Sequence, residues 1–319
     1  MKRLSPALLL ALSLPGIALA GADITEKRDQ GTFTMVDEND WWGKWSDKYY
    51  TNGTRFAWTT PDYFSDSGDA TIRRATFAIS HEIYAPKDGF TTTPAADDHP
   101  YAGVFYGSLG YSWETDDHLD SVQLDLGIAG PSALGDKIQQ NWHHLIDNPV
   151  LKGWDTQMKD EPVAGIVVER RWRFDIAGER TGWSADILPR VVGIAGTLRT
   201  EAVVGTQLRF GKNIPRTFGH ASIRQNTAYS GPRDNEDTAF YGFVDFQAEA
   251  VQHNMALQGG YVHDSKDVGR KPFVGQISVG LTYAIGGLSV SLVQTIRTEE
   301  FKGQDHAFVF GGLTGSVSF

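Results

Sequence analysis

The chain is 319 residues long, carries a formal charge of −10 and has no cysteine. That excludes a disulfide framework, and with no basic stripe in the sequence it argues against nucleic acid as a partner. Beyond residues 1–20 no apolar run approaches the ~18 to 20 residues that a membrane-spanning helix needs, which leaves a soluble β protein or a membrane barrel.

Taken in order, Lys2 and Arg3, an apolar run over 7–14 and the Ala18-Leu19-Ala20 site predict a secretory signal peptide over 1–20. Residues 21–319 follow as the candidate barrel domain. Alternation begins at 31–38, with Phe33 and Met35 on one side, and resumes at 54–59 after Thr51-Asn52-Gly53. In 75–84, Phe77, Ile79 and Ile83 share one face while Ala78, Ser80 and Glu82 share the other. An aromatic strand follows at 101–113. The segment 121–130 sets Val122, Leu124, Leu126 and Ile128 against Gln123 and Asp125, as a strand between lipid and a polar lumen would. Further strands are predicted at 163–176, 183–194, 199–210, 240–251, 273–285, 288–297 and 307–319. Ala177-Gly178-Glu179 and Gly286-Gly287 form tight turns between some of them. The sum is about twelve, an even number, and the last strand ends on Phe319 with Trp and Tyr near many strand ends. The expected fold is therefore an all-β, transmembrane, antiparallel up-and-down β-barrel in the bacterial outer membrane. A secreted β-sandwich is the competing architecture.

The exception to alternation is 130–161. Ile138, Trp142, Leu145 and Ile146 recur at three- and four-residue spacing, so a short helix is predicted in one loop, with Gln139 and His143 four apart on a shared face. If both termini are periplasmic, the connections after strands one, three and five are extracellular. They carry Asn39 and Asp40, then Asp97, Asp98 and His99, then Gln139 and His143; Thr51 opens strand two on the same rim. One segment resists this count. Residues 211–237 are long and polar, yet fall on the periplasmic end, where turns are usually short.

No G-x-S-x-G, H-E-x-x-H, P-loop or EF-hand pattern occurs. Ser132 lies near the helix, so a Ser–His pair is an open alternative to a water nucleophile. Asn39-Asp40 reads either as turn chemistry or as oxygen donors for a hard cation such as Ca²⁺. Thr51 reads as a turn residue or a hydroxyl facing a ligand, Asp98 as a turn cap or a cation partner, and Trp154, Asp155 and Gln157 as braces of the loop. Of the adjacent pair His143 and His144, the former shares a face with Gln139 and is the candidate general base.

The motifs Glu38-Asn39-Asp40, Tyr50-Thr51-Asn52-Gly53, Tyr84-x-Pro86, Asp98-His99-Pro100-Tyr101-Ala102-Gly103, Gln139-x-x-x-His143 and Gly153-Trp154-Asp155-x-Gln157 run in this order. With His253-Asn254 and Glu300-Phe301-x-Gly303-Gln304 they make the chain resemble the outer-membrane lipid A 3′-O-deacylases. The resemblance implies a twelve-stranded barrel with its site between the wall and the loop helix. It also implies Ca²⁺-assisted hydrolysis similar to that of secreted phospholipase A2, and lipid A or lipopolysaccharide as the partner of a monomer. By motif, His143 would be the base, Asn39 and Asp40 the catalytic, metal-side residues, and Thr51 and Gln139 site-lining groups, with Asp98 and His99 toward the substrate. His99 stands where the family usually has Arg, and it lacks the planar fork of a guanidinium. The rival functions are a non-enzymatic barrel (porin or structural) and an outer-membrane phospholipase.

Overall fold

The period-two pattern of each strand decides its two faces, and a computed structural model shows where those faces go. It describes residues 31–40, 42, 48–62, 71–178, 182–224 and 238–319; the expected signal peptide and the turn residue Glu179 lie outside them. The strands are β1 (Thr32–Asn39), β2 (Tyr49–Thr59), β3 (Ile72–Ala85), β4 (Ala102–Glu114), β5 (His118–Ala129), β6 (Glu161–Trp172) and β7 (Phe174–Gly178). They continue with β8 (Trp183–Gly196), β9 (Arg199–Lys212), β10 (Ala239–Asn254), β11 (Phe273–Ile285), β12 (Leu288–Arg297) and β13 (Phe308–Ser318). Among the described residues they are joined by the α-helices α1 (Gly135–Leu145) and α2 (Met255–Gln258).

Apart from β6 and β7, each strand pairs antiparallel with its sequence neighbours, and two further ladders close the sheet. One is β1 with β13, from Thr32↔Ser318 to Asn39↔Gly311. The other is β6 with β8, from Gly165↔Gly196 to Arg171↔Arg190. The predicted strand 163–176 is divided at Arg173, whose N–H bonds the Asp117 carbonyl at 2.8 Å, one step beyond the last β5–β6 pair His118↔Trp172. Its continuation β7 pairs with β8 at Phe174↔Ile187, so β6 and β7 form a single stave. The molecule is a closed barrel of twelve staves.

Closure removes every sheet edge, and alternation then separates two environments. On β9, Val204, Leu208 and Phe210 face outward and are exposed, while Glu201, Gln207 and Arg209 are buried inside. The same outward apolar row recurs as Phe77 and Ile79 on β3, Leu124 and Leu126 on β5, and Val279 and Leu281 on β11. In a bilayer that row is buried in hydrocarbon. Long connections at 86–101, 130–160 and 255–272 gather at the end away from the start of β1 and the end of β13, whereas 115–117 and 286–287 at the other end are short. This asymmetry puts the long loops outside the cell.

Of the segment that did not fit the loop rule, residues 213–224 are described. They start below β9 and turn up into the lumen, where Phe218, Ala221, Ile223 and Arg224 are buried. Arg171 donates to the Phe218 carbonyl at 2.6 Å, and the Ile223 N–H donates to Glu38 at 3.1 Å. Arg224 reaches Glu300, on the connection after β12, at 3.0 Å. Polar composition that reads as a solvated loop is what a polar lumen accepts. Bidentate pairs line the wall beside this segment, Arg190 with Asp245 at 2.7 and 2.8 Å and Arg209 with Asp186 at 2.8 and 2.5 Å. Cavities next to it hold about 30 and 20 Å³, enough for a water or two.

Candidate active site

The wall supplies the first part of the site. Asn39 ends β1 opposite Asn52. The Asp40 N–H bonds the Thr51 carbonyl at 3.2 Å, and its Oδ2 accepts from the Lys48 N–H at 2.8 Å. A β-bulge between Tyr50 and Asn52 leaves Thr51 out of the ladder with β3, which re-aims its side chain. Tyr49, just before it, holds a left-handed φ of 61°, a conformation that a bulky residue keeps only when its surroundings enforce it. Asp40 and Thr51 are both buried, and the Thr51 hydroxyl has no hydrogen-bond partner among the described residues.

The loop 130–160 supplies the second part by lying on the outside of that wall. Helix α1 seats Gly135 on Gly103 of β4; a Cβ built on Gly103 would stand 2.9 Å from the Gly135 backbone. Only two glycines allow so close an approach. Leu134 before the helix and Asp147 after it have φ of 59° and 56°, so α1 is bracketed by two strained non-glycine residues. Below it, Ile83, Ala85, Tyr101, Leu151 and Trp154 form a small apolar cluster on the outer face. Tyr101 and Trp154 have ring centroids 4.8 Å apart, and Trp154 Nε1–H donates to Gln139 Oε1 at 3.0 Å. Because Ile83 pairs with Asn52, this cluster joins the Thr51 corner to the helix.

Polarity is inverted on α1. Gly135, Gln139 and His143 face the barrel and are buried, whereas Ile138 and Leu145 are 46% and 65% exposed. The apolar spacing that marks the helix in the sequence is thus its outward side. His143 is 2% exposed, and its Nδ1 lies 2.6 Å from the Pro149 carbonyl oxygen. A carbonyl only accepts, so Nδ1 carries the hydrogen, and a neutral ring has its lone pair on Nε2. Gln139 Nε2 and Gln157 Oε1 are buried without partners among the described residues. An unsatisfied buried polar atom costs about 1–3 kcal/mol. Gln139 Nε2 and Gln157 Oε1 on the loop and Thr51 Oγ1 on the wall are such atoms, each able to bond a ligand or water.

The remaining expected residues lie elsewhere. Asp98 accepts from the Lys87 and His99 N–H groups at 2.9 and 2.7 Å, which braces its loop. His99 sits on the lumenal side, stacked on Tyr84 with centroids 5.4 Å apart and a 3° interplanar angle, and edge-on to Phe301. Burial pulls its pKa down to about 4, so it is neutral at neutral pH. The structure does not bring Asp98 and His99 to Gln139 and His143. Ser132 donates its hydroxyl to Asp160 at 2.6 Å, and that clasp replaces the Ser–His pair. One contributor was missed in the sequence. His81 occupies the outward row of β3 and bonds the Ala133 carbonyl at 2.9 Å, pinning the turn before α1. A histidine in a row of Phe77, Ile79 and Ile83 was the available signal that something covers the wall there.

A closed barrel with an apolar outer belt, a lumen that holds residues 213–224 and a loop helix packed on the outside of its wall defines an outer-membrane β-barrel. The family model described as "Outer membrane protein LpxR" matches residues 4–319, and the chain belongs to that family, the outer-membrane lipid A 3′-O-deacylases. The structure of LpxR from Salmonella typhimurium is similar with a TM-score of 0.76 at 18% identity, over 90% of this chain and 100% of that one, and so shares the fold. A bacterial polysaccharide outer membrane secretin, at a TM-score of 0.37 and 9% identity over 92% and 99% of the two chains, carries no argument. No curated protein matches the sequence.

Proposed function

We propose that the chain is an outer-membrane esterase that removes the 3′-acyloxyacyl group of lipid A by water attack, with His143 as general base. The observation that carries this reading is the inverted polarity of α1. A helix kept for packing alone would set apolar side chains against the wall, not an imidazole and an amide whose Nε2 has no partner among the described residues. His143 Nε2 would take a proton from water as the water oxygen attacks the ester carbonyl carbon. The Pro149 carbonyl holds the tautomer and steadies the imidazolium that forms. As the tetrahedral intermediate collapses, the ring returns the proton to the departing sugar oxygen, and the fatty acid leaves. Gln139 Nε2–H and the Thr51 hydroxyl supply hydrogen bonds to the ester oxygens, satisfying atoms that are otherwise orphaned.

The expected cation is tested by the donors present. Among the described residues no three His, Cys, Asp or Glu side chains cluster. Asp40 offers a buried carboxylate and Asn39 beside it an amide oxygen, and such hard oxygens fit Ca²⁺ with modest affinity. When bound there, Ca²⁺ would polarise the ester carbonyl.

The lumen supports this reading over a porin, because residues 213–224 and the Arg–Asp pairs occupy it. Incubating the purified protein with lipid A and, separately, with phospholipid, in Ca²⁺ or EDTA, tests the function. Loss of the 3′ acyl group from lipid A alone, in Ca²⁺ alone, is expected. Release of fatty acid from phospholipid would make it a phospholipase, and no release from either would leave a barrel without this chemistry.

A further inference from the structure

Helix α1 has three faces where an ordinary surface helix has two. At about 3.6 residues per turn, Gly135, Gln139 and His143 form the arc against the barrel. Next to it runs an exposed apolar arc of Trp142, Ile138 and Leu145, continued by Leu134. Lys137, Asn141 and His144, all exposed, point away from the barrel, and the half-buried Gln140 and Asp136 carry this polar arc round to the far flank. A helix that touches protein on one side, hydrocarbon on the next and water on the third must lie in a membrane interface. The position agrees. Gly135 rests on Gly103, and the next outward residues down β4 are Phe105, 44% exposed, Gly107 and Leu109, in the lipid-facing row. The helix therefore begins at the upper border of the belt of the barrel.

We infer that the apolar arc of α1 is immersed in the acyl chains of the outer leaflet, so that the cleft beneath the helix has a wall of lipid and opens sideways into the membrane. A substrate with several acyl chains would then enter laterally, its chains staying in hydrocarbon throughout. The inference concerns where the helix lies and holds whether or not the cleft is a hydrolase.

The chain has no cysteine, so a single introduced thiol reports one position. Leu145→Cys and Lys137→Cys, both at exposed positions, would each be labelled with bimane and reconstituted into phosphatidylcholine vesicles with and without brominated acyl chains. Bromolipid is expected to remove most of the emission at position 145 while aqueous iodide leaves it intact, with the reverse at position 137. Iodide quenching of both would place α1 in water, and bromolipid quenching of both would bury the helix without a polar side. Protection of position 145 from both quenchers would mean a protein contact there. Each of these three outcomes overturns the inference.

Discussion

A single methyl added at Gly103 tests how tightly the cleft is set. The new Cβ would stand 2.9 Å from the Cα and N of Gly135, whereas relaxed carbon contacts lie at roughly 3.5–4.0 Å. Both sides are backbone, so no side chain can rotate away, and α1 has to retreat by roughly 0.6–1 Å. Misplacing a catalytic group by about 1 Å can cost on the order of 100-fold in rate. Gly103→Ala should therefore lower kcat/KM for lipid A deacylation by about 10- to 100-fold, or about 1.4–2.7 kcal/mol. The barrel should remain folded, because the β3–β4 ladder uses only the backbone of Gly103. Gly107→Ala is the matched control: it lies on the same strand, and a Cβ there meets nothing nearer than 3.8 Å. Rates from mass spectrometry of lipid A treated with each purified variant would decide. Equal activity of Gly103→Ala and Gly107→Ala would refute the claim that α1 is positioned by this contact.

Other outcomes follow from the same geometry. With one carboxylate at Asp40, half-maximal activity should need Ca²⁺ at roughly 10⁻⁴–10⁻³ M; a titration saturating at nanomolar Ca²⁺, or activity indifferent to EDTA, would contradict this. His99 stays neutral when folded, with its pKa held at about 4 by burial, but gains a proton near its ordinary value when unfolded. The unfolded state binds the extra proton, so stability should fall as pH drops from about 6.5 to 4, by up to about 3 kcal/mol. His99→Phe should flatten that part of a melting-temperature profile, and an unchanged slope would show that His99 is not its source. In planar bilayers the protein should give no steady conductance, because residues 213–224 lie in the lumen; a stable open channel would show that this segment leaves.

Most of the barrel was legible because alternation is a local property. The strand read at 121–130 is β5 at His118–Ala129, and the number of staves agrees. The break at Arg173 was not readable, since β6 and β7 pair with β8 in one register on either side of it and the alternation runs through. Nor was the path of 213–224: polar residues look alike whether they meet water or a charged lumen. The helix was visible in its spacing, but periodicity does not say which arc packs, and an apolar stripe in hydrocarbon has the same pattern as one in a core. The Gly103–Gly135 contact joins two loops' worth of separated sequence and leaves no periodic trace. His99 shows the limit of motif reading: it lies beside Asp98 in the sequence, yet on the lumenal side of the wall.

The central claim is that a neutral imidazole on the buried arc of α1 activates water. The most direct measurement is the acylation pattern of lipid A from cells making the native chain, His143→Ala or His143→Gln at equal folded levels. The native chain should yield lipid A lacking its 3′ acyloxyacyl group, and both variants should leave that group in place, a loss of at least about 100-fold for a general base. Full deacylation by either variant would contradict the account.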